Sequence, residues 1–227
     1  MQRQLTKKLF FRKYPFKIDL KCDGASFIKR RGIEATIDAC NSKETITSTR
    51  YYWSNSSTSV DKVELRKFAH AIKPFYEQGL KCRVEGRLCS FFVEDRETFE
   101  KLEKDLHKWV KKSWAPASDT ELAFLTDNNR KVIVDQYPYG YFIYKIVFKT
   151  NWTGELGTKF IQWLEKYPVD SYRISPSTRK YMLGKSLYCQ DPFMYILDPK
   201  MLTMITLFAG SHIKYTEEFV LRHTLLL

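Results

Sequence analysis

Phe16, Ile18 and Leu20 alternate with Lys17, Asp19 and Lys21, a period of two that predicts a half-buried strand. The spacing then changes to that of a helix. In "VDKVELRKFAHAIKPFYEQG" the residues Leu65, Phe68, Ala69, Ile72 and Tyr76 share one face, Asp61 stands at the start as a cap and Gly79 marks the end. Pro74 inside this run predicts a kink or an early stop. Two strands follow, "LKCRVEG" and "LCSFFVE", hinged near Gly86-Arg87. The helix after them, "RETFEKLEKDLHKWVKK", packs through Phe99, Leu102, Leu106, Trp109 and Val110.

The second half repeats this order. Tyr137-Pro138 precedes the strand "YFIYKIVFK", where Phe142, Tyr144, Ile146 and Phe148 share a face. A helix over "GELGTKFIQWLEKY" turns Leu156, Phe160, Trp163 and Leu164 inward. Then come "SYRIS" and "RKYML", the strand "FMYIL", the helix "PKMLTMITLFAG" and a closing strand "HIKYTEEFVL". "SFFVEDRETFEKL" (90–102) and "FMYILDPKMLTMI" (193–205) make the repetition explicit. Aligned, Phe92 meets Tyr195, Val93 meets Ile196, Asp95 meets Asp198, Phe99 meets Leu202 and Leu102 meets Ile205. Each is a short apolar strand, an Asp at a helix N-cap and an amphipathic helix. The order strand-helix-strand-strand-helix-strand, met twice, predicts an α+β chain of two tandem ferredoxin-like (βαββαβ, RRM-like) units. The expected units are residues 1–117 and 118–227, joined through the polar "WAPASDTE" (114–121). The first carries an insertion at about 24–59, read as an extra strand, a short helix near Ile33–Cys40 and a strand near Ile46–Trp53.

Composition narrows the classes. A chain of 227 residues with 44% hydrophobic and 28% charged residues is a globular sequence long enough for two cores. No apolar run approaches the roughly 20 residues of a membrane span, and the basic N-terminus lacks the h-region of a secretory signal. The five cysteines are scattered without a CxxC pair, which predicts neither a zinc ribbon nor a disulfide framework and places the chain in a reducing, cytoplasmic setting. Cys82 and Cys89, in strand-like runs, read as buried free thiols. Net charge is +12, and residues 1–116 hold 25 Lys and Arg against 15 Asp and Glu, whereas the remainder holds 13 against 11. A basic half of this kind predicts a polyanionic partner.

Candidate contacts follow. Lys29, Arg30 and Arg31 form a run of cations, and Arg50, Tyr51, Tyr52 and Trp53 combine a cation with aromatic faces on which bases stack. Lys17 and Lys21 occupy the solvent side of the first strand, where an RRM would place its stacking aromatics. The lysines at 101, 104, 108, 111 and 112 interleave with acids and read as a solvated helix face. There is no metal-ligand spacing, phosphate-binding loop or nucleophile motif, so no cofactor and no metal are expected. His70, on the first helix of the first unit, is the one acid-base candidate kept.

Tandem ferredoxin-like units with a histidine there resemble the CRISPR RNA-processing endoribonucleases. That resemblance implies metal-free RNA cleavage with His70 as general base. The chain has no counterpart of that family's C-terminal Gly-rich loop between "GKSLYCQDP" and the end, which keeps the likeness to architecture. A second set of motifs, the "YP" strand, "RVEG" leading into "FFVED", and "YILD" before "LTMI", resembles uncharacterised small phage-encoded proteins and implies a viral origin in a host cytoplasm. The leading expectation is a non-catalytic nucleic-acid-binding protein (RNA or DNA) that contacts phosphates through its basic half. The alternatives are a phage factor that engages an acidic protein partner, and a metal-independent endoribonuclease.

Overall fold

The computed structural model describes residues 2–42, 45–49, 57–152 and 154–225. Along the chain these form β1 (Gln2–Leu5), β2 (Phe16–Lys21), α1 (Ala25–Arg31), α2 (Ile33–Asn41), β3 (Thr47–Thr49), β4 (Ser57–Ser59), α3 (Lys62–Glu77), β5 (Lys81–Glu85), β6 (Leu88–Val93), α4 (Arg96–Asp105), β7 (Val110–Ala115) and α5 (Asp119–Asp127). After them come β8 (Lys131–Val134), β9 (Tyr144–Phe148), α6 (Glu155–Leu164), β10 (Tyr172–Ile174), α7 (Pro176–Met182), β11 (Phe193–Ile196), α8 (Pro199–Ala209) and β12 (Ile213–Leu221). The protein is mixed α+β, with two five-stranded sheets and a small β3–β4 hairpin. None of the described helices is long and apolar enough to cross a membrane.

The sheets are ordered β1-β7-β2-β6-β5 and β10-β11-β9-β12-β8. In each, four strands pair antiparallel with the last strand beside the first and the third between first and second. In each, a further edge strand runs parallel to the last one, β1 beside β7 and β8 beside β12. The sequence reading held neither edge strand, because "QRQL" and "KVIV" are too short to show a period. Lys17 lies opposite Phe92 and Lys145 opposite Tyr195, so the aligned residues Phe92 and Tyr195 hold corresponding places in the two sheets.

Each unit has its own core. In the first, Phe16, Ile18 and Leu20 of β2 and Cys89, Phe91 and Val93 of β6 pack against Leu65, Phe68, Ala69, Ile72 and Phe75 of α3 and Phe99 and Leu102 of α4. In the second, Ile146, Phe148, Met194 and Ile196 pack against Phe160, Ile161 and Leu164 of α6, Met182 of α7 and Met201 and Ile205 of α8. Asp61 caps α3 by accepting from the Val63 and Glu64 amides, Asp95 caps α4 from Thr98, and Asp198 caps α8 from Lys200.

Several expectations are corrected. α3 runs through Pro74 to Glu77, because a proline in the penultimate turn costs one bond, to the carbonyl of exposed His70. Phe75, not Tyr76, completes its buried face. The lysine-rich helix ends at Asp105, and "VKKSWA" is strand β7; the lysine spacing had masked its alternation. The extra strand of the insertion is instead helix α1. Phe142 precedes β9 and lies on the other side of the sheet from Ile146 and Phe148. The chain divides between Asp127 and Asn128, so α5 goes with the first unit. It is held there by Leu122 against the core, by an Arg96–Asp119 ion pair of 2.8 Å and by buried Glu121, which accepts from the Ala117 amide.

Asp95→Ala and Asp198→Ala each remove one cap bond, and each is expected to cost about 1 kcal/mol in chemical denaturation. No shift in midpoint for either variant would contradict the capping role.

Candidate nucleic-acid interface

In each unit the helices cover one face of the sheet, and the chain before its first inner strand covers the other. In the first unit that segment turns tightly at Phe11 and Arg12, both in the left-handed region (φ 53° and 59°), and is pinned by a Phe10 amide bond to the Tyr14 carbonyl (2.8 Å). It lays Phe10, Phe11 and Tyr14 on Phe92, with ring centroids 5.8, 4.8 and 6.2 Å away, and Phe10 also meets Trp114 at 6.2 Å. Phe92 keeps only 4% of its surface exposed.

Lys17 is enclosed by these rings. Its ammonium lies 4.4 Å from the centroid of Trp114 and 5.8 Å from those of Phe10 and Phe92, and it pairs with Asp19 at 2.9 Å. Ser90 Oγ donates to the same Asp19 carboxylate at 2.5 Å. A cation neutralised by its neighbour and packed between ring faces, each contact worth up to about 2 kcal/mol when desolvated, belongs to the fold.

The second unit is built alike. Tyr139, again in the left-handed region (φ 55°), and Phe142 pack on Tyr195 at 5.7 and 6.1 Å. Lys145 lies 4.7 Å from the Phe193 centroid and 4.0 Å from Glu217, and the Arg173 guanidinium sits 3.8 Å over Tyr139. Burial raises the Tyr195 hydroxyl above its ordinary range. Phe92 and Tyr195, the strand aromatics on the open face of each sheet, are thus already packed on by other rings.

The basic run of the insertion has a different setting. α1 buries Ala25, Phe27 and Ile28 in the first core, and Gly24 before it sits so close to the Leu65 side chain that any Cβ would collide. Gly32, with φ 84°, turns the chain directly into α2. Anchored on that side, α1 presents Lys29, Arg30 and Arg31 to solvent in its last turn, where the helix dipole favours cations. The Arg30 and Arg31 guanidinium groups lie 5.8 and 5.2 Å from the Phe27 ring. Lys29 and Arg30 have no carboxylate partner among the described residues.

Lys21 is exposed at the far end of β2 from Lys17. Lys17 faces away from the side on which α1 packs, so it does not join the run 29–31. Arg50, Tyr51, Tyr52 and Trp53 lie outside the described residues. His70 is exposed on α3, with no hydrogen-bond or ion-pair partner among the described residues. The charge asymmetry also shrinks at the observed boundary: residues 1–127 hold 25 Lys and Arg against 18 Asp and Glu, and residues 128–227 hold 13 against 8. The acids of α5 account for the change.

Comparison with protein-family models, curated proteins and solved structures finds no match.

Lys17→Ala leaves Asp19 nearly buried with Ser90 as its donor. The expected loss is about 2–3 kcal/mol, below that of a fully buried pair because the Lys17 side chain retains 19% exposure. Adding Asp19→Asn should recover part of it. A Lys17→Ala protein as stable as the parent would make Lys17 a solvated cation free for phosphate.

Proposed function

We propose that the chain is a pair of tandem ferredoxin-like units acting as a non-catalytic nucleic-acid-binding protein, with phosphates contacted at the end of α1 and not on the sheet faces. The strand order shared by the two sheets supports the architecture. The observation that carries the function is the run Lys29-Arg30-Arg31, three consecutive exposed cations on a helix fixed to the core by its opposite side. Such a surface attracts a phosphate backbone by releasing its counterions and needs no base readout. Among the described residues, the strand aromatics Phe92 and Tyr195 are packed on by rings of the preceding segments, which argues against base stacking on the strands themselves. His70, exposed and without an orienting partner among the described residues, supports binding over cleavage.

A protein partner is the second reading, favoured by the outer side of α6 and α8. There Leu207 is 83% exposed, and Met204 and Phe208 are about two-fifths exposed. Trp163 stacks on Phe208 at 5.3 Å beside them. Apolar surface of this kind marks interaction sites.

Fluorescence anisotropy of a single-stranded oligonucleotide across a salt series separates the two. Binding should weaken steeply with salt, and the combined variant K29A/R30A/R31A should flatten the log–log slope by roughly 0.7 for each phosphate it no longer neutralises. A combined Leu207→Ser and Met204→Ser variant should leave the slope unchanged. Salt-independent binding, or an unchanged slope in the α1 variant, would overturn the polyanion reading.

A further inference from the structure

The β5–β6 hairpin brings two free thiols together. Cys82 pairs in register with Phe91 and Cys89 with Val84, which makes the cysteines diagonal neighbours on the helix-covered face, with Sγ atoms 3.3 Å apart. Cys89 is buried in the core, whereas Cys82, on the edge strand, is half-buried. Tyr76 of α3 packs edge-on against Phe91, the residue paired with Cys82. The two thiols are thus unequal. Hydrogen bonding from Cys89, then from Tyr76, holds Cys82 below the usual thiol range against the opposing effect of burial. Cys89, hydrogen-bonded to Cys82 and enclosed in the core, is held well above it. The other described cysteines lack such a neighbour: burial raises Cys22 to about 11 and raises half-buried Cys40 as well.

We propose that Cys82 and Cys89 are a peroxide-responsive dithiol, with Cys82 the attacking and Cys89 the resolving residue. An accessible thiolate beside a second thiol is the arrangement that oxidises reversibly. The Cys82 thiolate attacks one oxygen of hydrogen peroxide, the O–O bond breaks, and hydroxide leaves to take up a proton as water. The Cys89 sulfur then attacks the sulfur of the Cys82 sulfenic acid. The S–O bond breaks, and the departing hydroxide carries off the Cys89 proton as a second water. Two thiols give up two electrons, peroxide accepts them, and a disulfide remains. Closing the bond needs the sulfurs to approach by a little over 1 Å, to the roughly 2 Å of a disulfide. The bridge would staple edge strand β5, against which α1 packs, to β6.

The test uses the full-length protein. It is treated with hydrogen peroxide, its remaining thiols are alkylated, and it is digested with trypsin without reduction. Cleavage after Lys81, Arg83 and Arg87 places the two cysteines on separate peptides, so the bridge appears as a linked pair. That pair should form before Cys40 is oxidised and should vanish with dithiothreitol. Cys89→Ser should instead accumulate a sulfenic acid at Cys82 that a cyclic dione traps, and Cys89→Ala should do the same if the serine is poorly tolerated in the core. Oxidation of Cys40 ahead of the pair, or Cys82 and Cys89 both alkylated after peroxide treatment, would overturn the proposal, and neither result depends on a variant folding.

Discussion

A sheet with its helices packed on one face has the other face left over, and in both units that face must be covered by something. The cover is the same device each time: a lysine on the first inner strand, opposite an aromatic on the third, beneath an aromatic turn from the preceding segment. Lys17 with Phe92, and Lys145 with Tyr195, hold the centre of that device. The edge strands β1 and β8 follow from it, since pairing with β7 and β12 ties down the chain that must cross the open face. The left-handed residues Phe11 and Tyr139 follow as well, because the turn has to bring a ring back onto the sheet. A lysine among rings would be costly without a counter-charge, which Asp19 supplies from the same strand as Lys17 and Glu217 from the strand beside Lys145.

This cover decides what the sheets can do. Aromatics exposed on a sheet of this strand order form a stacking platform, and here Phe92 and Tyr195 are already in contact with other rings of their own chain. Chemistry is therefore displaced to what decorates the scaffold. In the first unit that is the insertion, whose helix α1 is anchored through Phe27 and Ile28 and leaves three cations outward. In the second it is the apolar outer side of α6 and α8.

Much of the scaffold was legible in the sequence. The alternation at 16–21, the Asp caps and the echo of 90–102 in 193–205 each reflect one local physical rule, and each keeps its place in the structure. What was hidden depended on pairing between distant segments. "QRQL" becomes a strand only because β7 lies beside it, and the lysines of 108–112 read as a helix face until β2 is there to pair with them. The covered face did leave a signal. "SFFV" and "KIVF" are continuous apolar runs, which mean strands enclosed on both sides, and period-two reading from Lys17 alone passed over it. Of the candidate contacts, the run 29–31 was visible as charge, while the enclosure of Lys17 among rings depended on residues as far away in sequence as Phe92 and Trp114.

The central claim is that the sheet faces are closed and that α1 meets the polyanion. Hydrogen exchange read by mass spectrometry, with and without a saturating single-stranded oligonucleotide in both RNA and DNA forms, tests it most directly. Peptides covering α1 and the start of α2 should exchange more slowly in the complex, while those of β2, β6 and β11 stay unchanged. Protection over β2 and β6 with α1 unaffected, or no protection anywhere at saturation, would contradict it.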